Sequence, residues 1–199
     1  MNRRIFTASF SALLLTGVSA FAQSTTWTID KNHAQTNFQI RHMGVSTVRG
    51  SISGVTGTIV WDEKDPGKSS VEATIDTTTV STNNSARDTD LKSDKYFNVA
   101  KYPTMTFKST KVEQAGAGKL KVTGDLTIRG TTKSVVLDID GPTAPVKDPW
   151  GNQRSAVTAT TKINRQDYGV KWNATMDNGG VVVGDEVSIT IDAEMVQKK

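Results

Sequence analysis

Apolar and polar residues alternate with period two along most of this chain, the mark of strands with one dry face. The run 119–129 is the cleanest. Leu120, Val122, Leu126 and Ile128 fall on one face, with Lys119, Lys121, Thr123, Asp125 and Arg129 on the other. Gly130 breaks the run, and Val135, Leu137 and Ile139 resume it up to Gly141-Pro142. Val187, Ile189, Ile191 and Ala193 repeat the pattern near the end. So do Phe38, Ile40 and His42; Val71, Ala73 and Ile75; Met105 and Phe107; and Val157, Ala159, Thr161 and Ile163. About eight strands result, rich in Thr, Val and Ile, as β propensity favours.

One-sided alternation predicts an all-β, antiparallel sheet with a single apolar face. Such a sheet of about eight strands either splits into a sandwich or curls into a closed barrel, and closure removes its exposed edges. Gly50, Gly54, Gly57 and Gly124 read as bends or bulges where a barrel turns. Two stretches break the pattern. Residues 84–93 begin with an N-capping Asn84, carry acids early and a lysine late, and predict a short helix over an opening. A helical turn at 96–98 is expected to follow. Residues 143–154, with Pro145, Pro149, Trp150 and Gly151, predict a loop or lid.

The first residues read as an export signal. Arg3 and Arg4 precede a small, apolar stretch over 5–18, and Ala20-Phe21-Ala22 offers a signal-peptidase site. Cleavage is expected after Ala22, leaving 23–199 as one soluble domain in the periplasm. Losing Arg3 and Arg4 leaves 22 basic against 20 acidic residues, about +2 instead of +4. The basic residues are scattered, which argues against nucleic acid. With no cysteine and two histidines among 199 residues, a disulfide scaffold, a thiolate site and a multi-histidine metal centre are disfavoured. No nucleophile–base–orienter set stands out. What remains is a container: a barrel of about eight strands can hold one small ligand. Small residues such as Ala73, Gly124, Ala159 and Ala193, mixed with Phe38 and Phe107, leave room for a slender apolar guest.

Several motifs, in this order and spacing, resemble the YceI family. They are Ile29-Asp30-Lys31-Asn32-His33, Phe38-Gln39-Ile40-Arg41-His42-Met43-Gly44 and Val48-Arg49-Gly50. Thr82-Asn83-Asn84-Ser85-Ala86-Arg87-Asp88, Leu91-Lys92-Ser93, Tyr96-Phe97-Asn98-Val99 and Phe107-Lys108-Ser109 follow. The residues 124–133 and Ile163-Asn164-Arg165-Gln166-Asp167-Tyr168-Gly169 complete the set. The resemblance spans about residues 25–196. It implies an exported, lipocalin-like, eight-stranded antiparallel barrel with one or two short helices over the opening. It also implies a long isoprenoid ligand, a polyprenyl pyrophosphate or a ubiquinone-type molecule, in an apolar tunnel, with no further cofactor and no metal. One departure is Arg129, where the family commonly has a histidine.

Carried over residue by residue, the resemblance makes Phe38, Ile40, Val48, Phe97, Phe107, Leu126 and Ile128 tunnel-lining positions. Leu91, Arg87 and Asp88 belong to the covering helix. Arg87 would meet a head-group oxygen, and His42, on the Phe38/Ile40 face, would hydrogen-bond one. The role implied is binding and carriage, with transient membrane contact and a monomeric or homodimeric state. The alternative is a hydrolase or isomerase acting on a similar greasy substrate, with Asp88 and His42 as acid and base.

Overall fold

The computed structural model describes residues 24–198. The export signal expected over 1–22 therefore lies outside the described residues. The strands, in chain order, are β1 (Thr25–His42), β2 (Ser46–Ile52), β3 (Thr56–Trp61), β4 (Ser70–Asp76), β5 (Thr104–Gly116), β6 (Lys119–Ile128), β7 (Thr131–Asp140), β8 (Val146–Lys147), β9 (Gln153–Asn164) and β10 (Val183–Gln197). One helix, α1 (Ser85–Lys92), lies between β4 and β5.

The hydrogen-bonded path runs β10–β1–β3–β4–β5–β6–β7–β9, and β9 pairs with β10 to complete the ring. The sheet is a closed eight-stranded antiparallel barrel. Ten strands make eight because β2 and β3 share one flank of β1 and because β8 stands outside the ring. β2 pairs with Thr36 to His42, and β3 pairs with Thr25 to Thr28. The two are one bent strand, interrupted at Gly54. That residue has φ +70, and a Cβ there would come within 2.9 Å of Asp76 Cβ. The two-residue β8 pairs only with β9, inside the 143–154 segment expected to be a loop.

The weakest seam is between β7 and β9, paired only at Asp138–Thr160, Ile139–Ala159 and Asp140–Thr158. A 3-10 turn over Arg165–Tyr168 then carries the chain off the barrel wall, with Arg165 and Tyr168 buried. Asn164 caps this turn through Gln166 N, and Gly169 closes it at φ +77.

The register of β5 on β6 shifts beside Gly124, as expected of a bulge, and Gly50 and Gly124 have a further role in common. A Cβ at Gly50 would lie 2.4 Å from Phe38 Cζ, and one at Gly124 would lie 2.4 Å from Phe107 Cζ. Each glycine is the seat of a phenylalanine ring lying flat on the neighbouring strand. Helix α1 forms as its sequence predicts, with the Asn84 side chain accepting from Arg87 N. The turn expected to follow is present, with Tyr96 N and Asn98 N both donating to Ser93 O.

Candidate functional site

The inward faces of the strands do not mesh along the barrel axis. Two apolar cavities, of about 140 Å³ and about 180 Å³, lie end to end. Both are lined by Thr36, Met105, Ile128 and Ile189, which form the waist between them. The first occupies the end near Pro142 and is walled by Ala73, Phe107, Val122, Leu126, Ile139 and Ala159, among others. The second occupies the α1 end. Val187, Ile189 and Ile191 face inward yet are only half-buried, because Val187 borders this cavity, Ile191 the first and Ile189 both.

Phe38, Ile40, His42, Val48, Arg87, Leu91 and Phe97, singled out in the sequence, all line the α1-end cavity. Phe107 and Leu126 line the other one, and Ile128 lines both. Asp88 is the exception and is corrected here: it lies outside both linings. Its Oδ1 accepts from Thr82 N at 2.8 Å and from Thr82 Oγ1 at 2.5 Å. The Thr82 hydroxyl bond holds its carboxyl below the usual carboxylate range. Arg87 bonds the same residue through Nε to Thr82 Oγ1 and Nη2 to Thr82 O. The acid–base pair of the enzymatic alternative is thus not assembled on the cavity: His42 lines it and Asp88 does not.

Several lining residues were missed, Thr36, Arg165 and Tyr168 among them. Thr36 sits at the waist, and its buried hydroxyl has no hydrogen-bond partner. Arg165 and Tyr168 belong to the late motif but had no role assigned. Arg165 is 5% exposed. Its Nε donates to Gly184 O, Nη1 to the carbonyls of Val170 and Trp172, and Nη2 to Val183 O and Asp185 Oδ1. Burial, with Asp167 adding to it, pushes the Tyr168 hydroxyl up to about 12, so the phenol adds no charge to the lining. Arg129 donates through Nη1 to Tyr96 O, which ties the β6–β7 turn to the segment after α1.

An unpartnered buried hydroxyl is a liability that an isosteric methyl removes. Thr36→Val is expected to stabilise the protein by about 1 kcal/mol, raising the unfolding midpoint by ~2–4 °C in a calorimetric scan.

The opposite end is clamped. Arg154 donates through Nη1 to Asp30 Oδ2 at 2.9 Å, through Nε to Asp148 Oδ2 at 2.8 Å, and also to Glu194. It joins β1, β10 and the loop before β9. Asp30, His33 and Glu194 could offer ligand atoms within 4.8 Å of one another. A guanidinium already occupies the two carboxylates, so this cluster is an ion-pair knot and a poor cation cage. Arg154 foremost, and His33 after it, lower the Asp30 carboxyl to about 2 from 3.8. A carboxyl depressed in the folded state stabilises fully above its ordinary value and loses that contribution as pH falls through the folded one. Protection of the amides in residues 141–152, taken relative to their intrinsic exchange rates, is therefore expected to fall as pH drops from about 3.8 to about 2 and to stay constant just above that window.

With this geometry in hand, comparison with known proteins gives a consistent result. The family model described as YceI-like domain matches residues 27–195. Over 201 residues, covering 100% of both chains, this chain is 39% identical to Protein YceI of Salmonella agona. It is 38% identical, at the same coverage, to Protein YceI of Escherichia coli O157:H7. Among solved structures, Burkholderia cenocepacia BcnA superposes with a TM-score of 0.70 at 20% identity, covering 83% of this chain and 98% of that one. The Campylobacter jejuni YceI protein gives 0.67 at 29% identity, covering 80% and 90%. A polyisoprenoid binding domain from Saccharophagus degradans gives 0.63 at 16% identity, covering 87% and 99%.

Proposed function

The chain belongs to the YceI-like domain family, and from that premise we propose that it binds a long isoprenoid lipid inside its barrel. The guest is a polyprenyl pyrophosphate or a ubiquinone-type molecule, carried or stored in the periplasm. The observation that supports this most directly is the pair of apolar cavities running along the barrel axis. A hydrocarbon chain removed from water gains about 0.8 kcal/mol per CH₂, so length alone supplies affinity with little polar help. The charged and histidine side chains that line the tunnel, Arg41, His42, Arg87, Asp90 and Arg165, all stand at the α1 end. That asymmetry favours a guest inserted tail first, with its head group near α1 and its tail toward Pro142. The S. degradans polyisoprenoid binding domain shares the fold, which is consistent with a barrel of this kind housing such a chain. The periplasmic setting rests on the pattern of residues 1–22. The matched proteins named above bear no enzyme's name.

The test is to purify the protein from its host, extract it with organic solvent and weigh what is released. A prenyl lipid at about one per chain is expected. Preparations that are repeatedly free of lipid, and that take up no prenyl lipid offered in micelles, would end the proposal.

A further inference from the structure

We infer that the rim at the α1 end is a membrane-docking platform, whose exposed apolar tips seat in an anionic phospholipid surface and set the tunnel mouth against it. This rests on the lipid-binding reading and adds the surface through which the guest passes.

Two tips make the platform. The first is the β1–β2 turn, where Met43 and Gly44 take φ +53 and +71. Met43 is 43% and Val45 80% exposed there. The second is the loop before β10, folded as a small hairpin. Thr175 bridges Val181, Met176 N donates to Gly180 O, and Val182 N donates to Ala174 O. Trp172 and Val181 of that loop are 38% and 47% exposed. A hydrogen bond of 2.8 Å from Met43 N to Val182 O joins the tips into one surface.

Four of the seven large apolar side chains exposed among the described residues are thus gathered here. The remaining three are Val136 on β7 and Val146 and Trp150 at the clamped end. Isolated exposed apolar residues are ordinary, but a cluster beside a cavity mouth marks an interaction surface. The apolar surface is continuous with the tunnel, because Arg41, His42 and Val183, next to the tips in the chain, line the α1-end cavity. The charge balance of the tips is basic, with Arg41 and Lys171 against Asp177, and so suits an anionic lipid. Arg41 is anchored to Thr47 Oγ1 and Gly44 O, not to a carboxylate, and Lys171 stands exposed beside Trp172. The far end cannot serve as well, because the Arg154 knot ties its loop to β1 and β10.

The experiment uses the processed chain expected after cleavage at Ala22, vesicles of phosphatidylethanolamine and phosphatidylglycerol, and the double variant Val45→Asp/Val181→Asp. Neither residue lines the tunnel. The parent chain is expected to sediment with vesicles and to extract a ubiquinone from them. The double variant is expected to lose about tenfold in both while taking the same quinone from detergent micelles normally. Equal vesicle binding by parent and variant overturns the inference. So does a parent that is dimeric in solution and a variant that is monomeric, since the face would then belong to a second copy. Uptake from micelles without vesicle binding sinks the docking inference alone. No uptake from micelles sinks the lipid-binding reading and this one with it.

Discussion

Replacing Ala73 by phenylalanine is expected to weaken binding of a prenyl chain by about fiftyfold or more while leaving the barrel folded. Ala73 lies on β4, in register with Gly57 on one side and Phe107 on the other. It lines the cavity at the Pro142 end and is only half-buried. Open space lies beyond its Cβ, so an added ring enters the void and does not meet packed neighbours. A ring there shortens the tunnel. Excluding even three methylene-sized groups of the guest costs about 2.4 kcal/mol, or roughly sixtyfold. Titration of a prenyl quinone checks the affinity, and circular dichroism checks the fold. Unchanged affinity in a folded variant would mean that the tail does not reach this end.

The second large effect is on stability. Arg165→Met is expected to cost about 3 kcal/mol and to lower the unfolding midpoint by roughly 6–12 °C. The methionine fills a similar volume, so the loss is chemical. The carbonyls of Val170, Trp172 and Gly184 lose the guanidinium donors they accept from, while Val183 O keeps the Asn173 amide. Val170 and Trp172 lie between the end of β9 and the start of β10, where no strand pairing replaces those donors. Arg165 therefore fastens the 170–183 loop onto the barrel. Thermal unfolding of the variant measures the loss. A midpoint within 2 °C of the parent's would show that water satisfies those carbonyls as well as the guanidinium does.

The strands were legible because a pleated sheet with one dry face imposes a local rule on every second residue. Leu120 to Ile128 and Val187 to Ala193 obey it, and the structure turns those side chains inward. The helix was legible for the same reason: an Asn cap acts over three residues, and Asn84 bonds Arg87 N. The orientation of α1 was not legible. Its apolar residues, Ala86 and Leu91, mark no wide stripe, so nothing local says which of Arg87 and Asp88 meets the cavity. Thr82, pinned from both sides, decides it: Arg87 stays on the lining and Asp88 turns to the backbone.

Read alone, the sequence determined the all-β class, the run of inward apolar positions, the short capped helix and the family. Each of these is written in residue order or in spacings of a few positions. The alternation by itself left barrel and sandwich both open, and only the family resemblance pointed to the barrel, because that choice depends on whether the last strand finds the first. Only the tertiary structure decided that β10 pairs with both β1 and β9, and that the inward side chains stop short of meeting across the axis. It also decided that Arg154 reaches residues 124 and 40 positions away. Ring closure and cavity depend on distances between parts of the chain far apart in sequence, and no local pattern encodes such distances.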